Sequence, residues 1–334
     1  METINFINLD KDLTEMIKLH KGEFSFYLNN IEFLTDLSFA FYNNLNDLDT
    51  KKNIGYVDKI DKRLIADLLF DHFSSRFFRT YYSLDTSNRI NIVNNKDFNS
   101  VCDKNGIEYV FDNTYSYIPT LIHELAHSTN IDYNNRKITP SVLTEFISIY
   151  YETITKDILV DNYKINKNDI DFLSRLRMCK INNLEDIEIL FPLLVKEKYG
   201  SVSKENIDKL KEEKNYLNNT EYNYETIFNS LYSALQFNAL NKENFMKECI
   251  KMTYQKPLYL FSTCLAFYAK ENLEKKEIDQ LNEKIINNPD ENVIDLLNSI
   301  GIKLDNKFIN DSINSIKNYY NIKNEMKLQS KKGI

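Results

Sequence analysis

Four histidines occur in 334 residues, and two of them stand four apart in Thr120–Leu121–Ile122–His123–Glu124–Leu125–Ala126–His127. This is an HExxH pattern within an apolar stretch that reads as helix. Residues four apart lie about 40° apart around a helix, so both imidazoles project from one face as a two-pronged metal clamp. Glu124 lies to the side, where it reaches a metal-bound water rather than the metal. Neutral imidazoles bind zinc without cancelling its charge. A carboxylate beside them takes the proton of a zinc-polarised water and passes it to a leaving amine. The alternative is two core histidines at this spacing by accident.

No histidine follows His127, and Asn130 and Tyr133 stand where a metzincin would carry glycine and histidine. The third ligand is therefore a carboxylate, unless it comes from His20 or His72 in the N-terminal helices. Downstream candidates are Asp132, Glu145, Glu152 and Asp157. Asp132 sits in the turn leaving the helix and is poorly placed to return. Glu145 is eighteen residues past His127, and an antiparallel return helix brings a carboxylate back over that distance. Glu145, Ser148 and Glu152 share a helix face. Glu145 as ligand, with Glu152 accepting from a ligand imidazole and Ser148 beside it, is a coherent arrangement. The competing reading of Glu152 is a solvated helix-face charge.

The elements that must carry these residues are mainly helices. Six Gly and five Pro leave few breaks, and no Trp is present. Sandwiches, propellers and doubly wound folds need more turns than this allows. Apolar spacing predicts helices over 31–48 and 61–80, then from about 116, from 140 to about 160, and at 169–178, 185–198, 203–216, 221–239, 242–252, 257–273, 291–300 and 307–327. Alternation at 89–93 and 107–111, with Asp103–Lys104–Asn105–Gly106 as turn chemistry between, predicts one small antiparallel sheet near 89–113. The expected organisation is an N-terminal helical region, 1–84, continuous with a catalytic region, 85–334.

A net charge of −7 argues against nucleic acid as the main partner. No apolar run suits a membrane span, and the start does not read as a signal peptide. Cys102, Cys179, Cys249 and Cys264 form no CxxC pair, which fits buried thiols in a reducing cytoplasm.

The stretch TLIHELAHS, followed by Pro140–Ser141–Val142–Leu143–Thr144–Glu145–Phe146–Ile147–Ser148 and then Glu152, resembles the oligoendopeptidase F and thimet oligopeptidase family of gluzincins. That family shows HExGH and a later P-x-x-x-x-E-x-x-S-x-x-x-E block, whose four marked positions keep their spacing here. The segment Leu296 to Leu304 is similar to the family's terminal segment. The resemblance covers about 85–334 and describes a short, divergent member lacking most of the N-terminal lobe. It implies a zincin-like helical metallopeptidase with one zinc held by His123, His127 and Glu145, and Glu124 as base and proton shuttle.

Three departures stand out. Ala126 replaces the family's glycine, the loop between the two blocks is shorter, and Thr253 stands at a downstream histidine position. Tyr259 keeps one family tyrosine while Phe261 replaces another. The resemblance thus makes Tyr259, then Tyr254, the candidate donors to an oxyanion. The expected activity is cleavage of peptide bonds in oligopeptides or exposed protein segments. A dedicated endopeptidase acting on one protein is a narrower form of it. The alternative is a weak or inactive zincin-fold protein that binds a peptide or partner.

Overall fold

A computed structural model describes residues 26, 29–45, 55–93, 100–103, 105–111, 113–130, 141–171, 178, 185–214, 256–287 and 291–322. Among these, apolar side chains at helical spacing dominate, and helices result. The first is α1 (Ile31–Asn44), which buries Ile31, Leu34, Leu37 and Phe41 along one stripe. The stretch expected as a single helix at 61–80 is two, α2 (Lys62–His72) and α3 (Ser75–Thr86). Asp61 caps α2 through the amides of Arg63 and Leu64. Phe73 then turns extended, at φ −117° and ψ 170°. The break re-aims the chain, so that α3 buries Phe77, Tyr81 and Leu84.

Three short strands follow: β1 (Ile90–Val93), β2 (Val101–Asp103) and β3 (Gly106–Val110). The sheet order is β1-β3-β2. Here the expected antiparallel sheet is corrected. β1 runs parallel to β3, with Ile90 opposite Ile107, and only β2 pairs antiparallel with β3. The Asn105–Gly106 turn is real, but it joins β3 to β2, a strand of three residues. That is too short for alternation to reveal. Gly106 is essential to this arrangement. Its φ is +143°, and a Cβ there would collide with the Arg89 carbonyl, to which the next amide, that of Ile107, donates at 2.9 Å.

The central pair is α4 (Tyr117–Asn130) and α5 (Ser141–Asp161). Pro119 is the third residue of α4, where its missing N–H leaves no helical bond unmade. The chain goes on through α6 (Glu185–Tyr199), α7 (Lys204–Lys214), α8 (Lys256–Asn272), α9 (Lys275–Asn287), α10 (Val293–Asn298) and α11 (Asn306–Tyr320). α9 went unpredicted, although Ile278, Leu281 and Ile285 mark its buried face. α11 stops at Tyr320 rather than 327, because Asn321 takes the left-handed conformation and closes the helix. The helices expected at 221–239 and 242–252 lie outside the described residues, as does most of 169–178.

α5 is enclosed. It packs against α4 on one side and, most extensively, against α8 on another, with α9 also touching it. α8 runs parallel to α5: Ser262 donates to the Val142 carbonyl near their starts, and Lys270 pairs with Asp157 near their ends. α4 in turn carries the sheet and α3. One buried cluster of side chains runs through these elements from Phe26 to Tyr320. No helix among the described residues is long and apolar enough to cross a membrane.

Candidate metal centre

α4 is held at both ends before it presents anything. At its start, the Tyr117 hydroxyl accepts from the Asp61 amide at 2.9 Å, and Ser116 donates to the Ile170 carbonyl at 2.8 Å. At its end, Arg76 of α3 donates to the Thr129 carbonyl at 2.6 Å, and Ser128 lies 2.9 Å from Cys102 on β2. α5 is pinned likewise, since Tyr151 donates its hydroxyl hydrogen to Asp279 of α9. Its ring also packs at 4.6 Å against Phe77. The two helices form an antiparallel pair, which carries Glu145 back to His127 and Glu152 back to His123.

His123 Nε2 and His127 Nε2 are 3.1 Å apart. Glu145 completes a triangle, with Oε2 3.5 Å from His123 Nε2 and Oε1 3.3 Å from His127 Nε2. These three residues can hold a metal ion. Tetrahedral zinc with bonds of about 2.05 Å sets its ligand atoms about 3.3 Å apart; the two imidazole nitrogens are 3.1 Å apart, and each lies 3.3–3.5 Å from one of the two Glu145 oxygens. The side chains are mostly buried, at 7% for His123, 14% for Glu145 and 19% for His127.

Proton positions sharpen the fit. Glu152 Oε2 lies 3.1 Å from His123 Nδ1 and is an acceptor only. The Nδ1 hydrogen therefore points at Glu152, and in the neutral imidazole Nε2 offers its lone pair on the side of His127 and Glu145. Glu145 Oε2 is buried and accepts no hydrogen bond among the described residues. Two imidazole nitrogens and a carboxylate thus face one another, an arrangement that can hold a cation when the imidazoles are neutral. Burial pushes the Glu145 carboxyl pKa up, but His127 and His123 outweigh it and hold it well below the usual carboxylate range.

Of the other residues singled out by sequence, Glu124 is buried on α4, at 6% exposure. Ser148 is fully buried on the Glu145 face of α5, yet its hydroxyl has no hydrogen-bond partner among the described residues. It holds neither ligand. Glu152 is not the solvated charge of the competing reading, being 3% exposed. Asp157 pairs with Lys270 at 3.0 Å, and the His72 ring packs edge-on against Tyr163. Tyr259 lies half-buried in the first turn of α8. Phe261 joins the aromatic core, stacked on Phe26 at 5.2 Å. His20, Asp132, Thr253 and Tyr254 lie outside the described residues.

Compared with protein-family models, with curated proteins and with solved structures, the chain finds no match.

Sequence reasoning missed Lys156. It is 3% exposed, and its Nζ sits 2.8 Å from Glu152 Oε1. The signal was present, since Glu152 and Lys156 are spaced i, i+4 on one helix. Such pairs are usually on the surface, and only the packing around α5 reveals that this one is not.

Proposed function

We propose that this chain is a zinc-dependent metallopeptidase that cleaves oligopeptides or exposed protein segments. The observation that carries the reading is the convergence of His123, His127 and Glu145, with the two Nε2 atoms 3.1 Å apart and 3.5 and 3.3 Å from Oε2 and Oε1 of Glu145. Two imidazoles and one carboxylate favour zinc among divalent ions. With three protein ligands, a tetrahedral ion keeps one position for water or substrate, as catalytic zinc does and closed structural sites do not.

The bound ion supplies Lewis acidity toward the scissile carbonyl and acidifies water. The protein's own residues do the rest. Glu124, next to His123 on α4, accepts the proton of the attacking water and returns it to the leaving amine. Glu152 holds His123 in the tautomer that offers Nε2. The resemblance to the oligoendopeptidase F and thimet oligopeptidase family supports the same assignment, within a zincin-like architecture. It makes Tyr259 and Tyr254 the donors to the developing oxyanion.

The test is metal analysis of the purified chain, with cleavage of a mixed peptide library with and without chelator. One zinc per chain and chelator-sensitive cleavage are expected. Glu124→Gln should keep the zinc and lose about 100-fold or more in turnover. Unchanged cleavage by that variant would sink the mechanism. Thr253, at the family's histidine position, favours the second reading, a peptide- or partner-binding module. Zinc without any cleavage by the unaltered chain is its signature.

A further inference from the structure

Lys156 stands at the far end of the contacts that begin at His123. Its ammonium lies one helical turn beyond Glu152 and is as buried as that carboxylate. Burial alone pushes its pKa down. The charge of Glu152, the Tyr320 phenol and the charge of Asp171 more than offset this, so it stays protonated. An apolar side chain would fill the same space without the desolvation cost. Hydrolysis as proposed gives Lys156 no direct task either.

Glu152 spends its two oxygens in opposite directions, Oε1 on Lys156 and Oε2 on His123. The terminal torsion of a glutamate is soft, and partners on both oxygens remove that freedom. We propose that Lys156 is a positioning residue for His123. By clamping one oxygen of Glu152 it sets the other on Nδ1, and so aims the Nε2 lone pair at the point shared with His127 and Glu145. The inference rests on reading that trio as a zinc site. It adds a third layer behind the metal, lysine to carboxylate to imidazole.

The test measures zinc affinity of the full chain at pH 7, by competition with a chromophoric chelator. Lys156→Met should weaken zinc binding by about 10–100-fold, as loss of an outer-shell partner does. Removing a positive charge near a cation strengthens binding on Coulomb grounds alone, so a weakening reports geometry. Glu152→Gln should weaken binding too, and adding Lys156→Met to it should cost nothing more. Lys156→Met with unchanged affinity would overturn the proposal. So would a double variant weaker than Glu152→Gln alone, since Lys156 would then act by another route. If Lys156→Met alone fails to fold, Lys156→Gln, which is neutral and shorter than the lysine that reaches Oε1, is read in its place by the same criterion. An unaltered chain that binds no zinc would overturn the metal site and this inference together. Zinc bound normally by Lys156→Met would overturn this inference alone.

Discussion

Two lysine–carboxylate clusters in this protein use the same chemistry in different surroundings. In one, Lys156 and Glu152 are 2.8 Å apart, with side chains 3% and 4% exposed. In the other, Lys214 and Lys198 bridge α7 and α6 to α1. Lys214 meets Glu32 at 2.6 Å and Asp36 at 3.0 Å, and Lys198 meets Glu32 at 3.1 Å. The distances match, but Glu32 is 51% exposed. Water and salt compete for the second cluster and cannot reach the first. The surface pairs therefore latch three helices gently, whereas the buried pair fixes the angle of one carboxylate. Proximity alone does not tell these roles apart; burial does.

The largest expected effect is at the proposed metal centre. Glu145→Ala removes a charged corner of the triangle, and its zinc affinity should fall further than that of Lys156→Met. Chelator competition on the two variants ranks them, and equal losses would mean that the triangle is not the binding site. Next comes the stability of the zinc-free protein. Lys156→Met takes the lysine charge away from the buried Glu152 carboxylate, at a cost of about 3–5 kcal/mol in urea unfolding. Pairing it with Glu152→Gln should return most of that loss.

Lys214→Ala should cost less than about 1 kcal/mol, and less again at high salt. A larger loss would show that the surface cluster is more than a latch. The smallest effects appear in acid. The Lys214 contact, then Lys198, both against burial, hold Glu32 below its usual pKa of 4.5. Glu145 is also depressed. A depressed carboxylate contributes stability that is present above its unfolded pKa, near 4.5, and is lost as pH falls toward its folded value. Acid unfolding curves of zinc-free Glu145→Gln and Glu32→Gln should both flatten below about pH 4.5, the first more than the second.

Legibility followed the range of the interactions. α1, α6, α7 and α8 were readable because each buries its own periodic stripe. The two imidazoles were readable because a helix sets their spacing within one turn. The join between α2 and α3 was hidden, since the apolar spacing ran on while Phe73 turned extended. The sheet failed for a different reason. Alternation locates a strand without giving its partner or direction, and β2 offers too few residues to alternate at all. Ser148 shows the limit of the face argument. It shares a face with Glu145 and Glu152 as expected, and still bonds to neither.

The sequence by itself determined a mainly helical chain, the two-histidine clamp of His123 and His127, and a carboxylate as the fitting third corner. These follow from local periodicity and from which residue types are present. Tertiary structure decided which carboxylate returns, that β1 runs parallel to β3, and that Glu152 and Lys156 are buried rather than solvated. Those outcomes depend on how α5 is enclosed by α4, α8 and α9. Enclosure is set by contacts between residues far apart in the chain, and no local pattern records it.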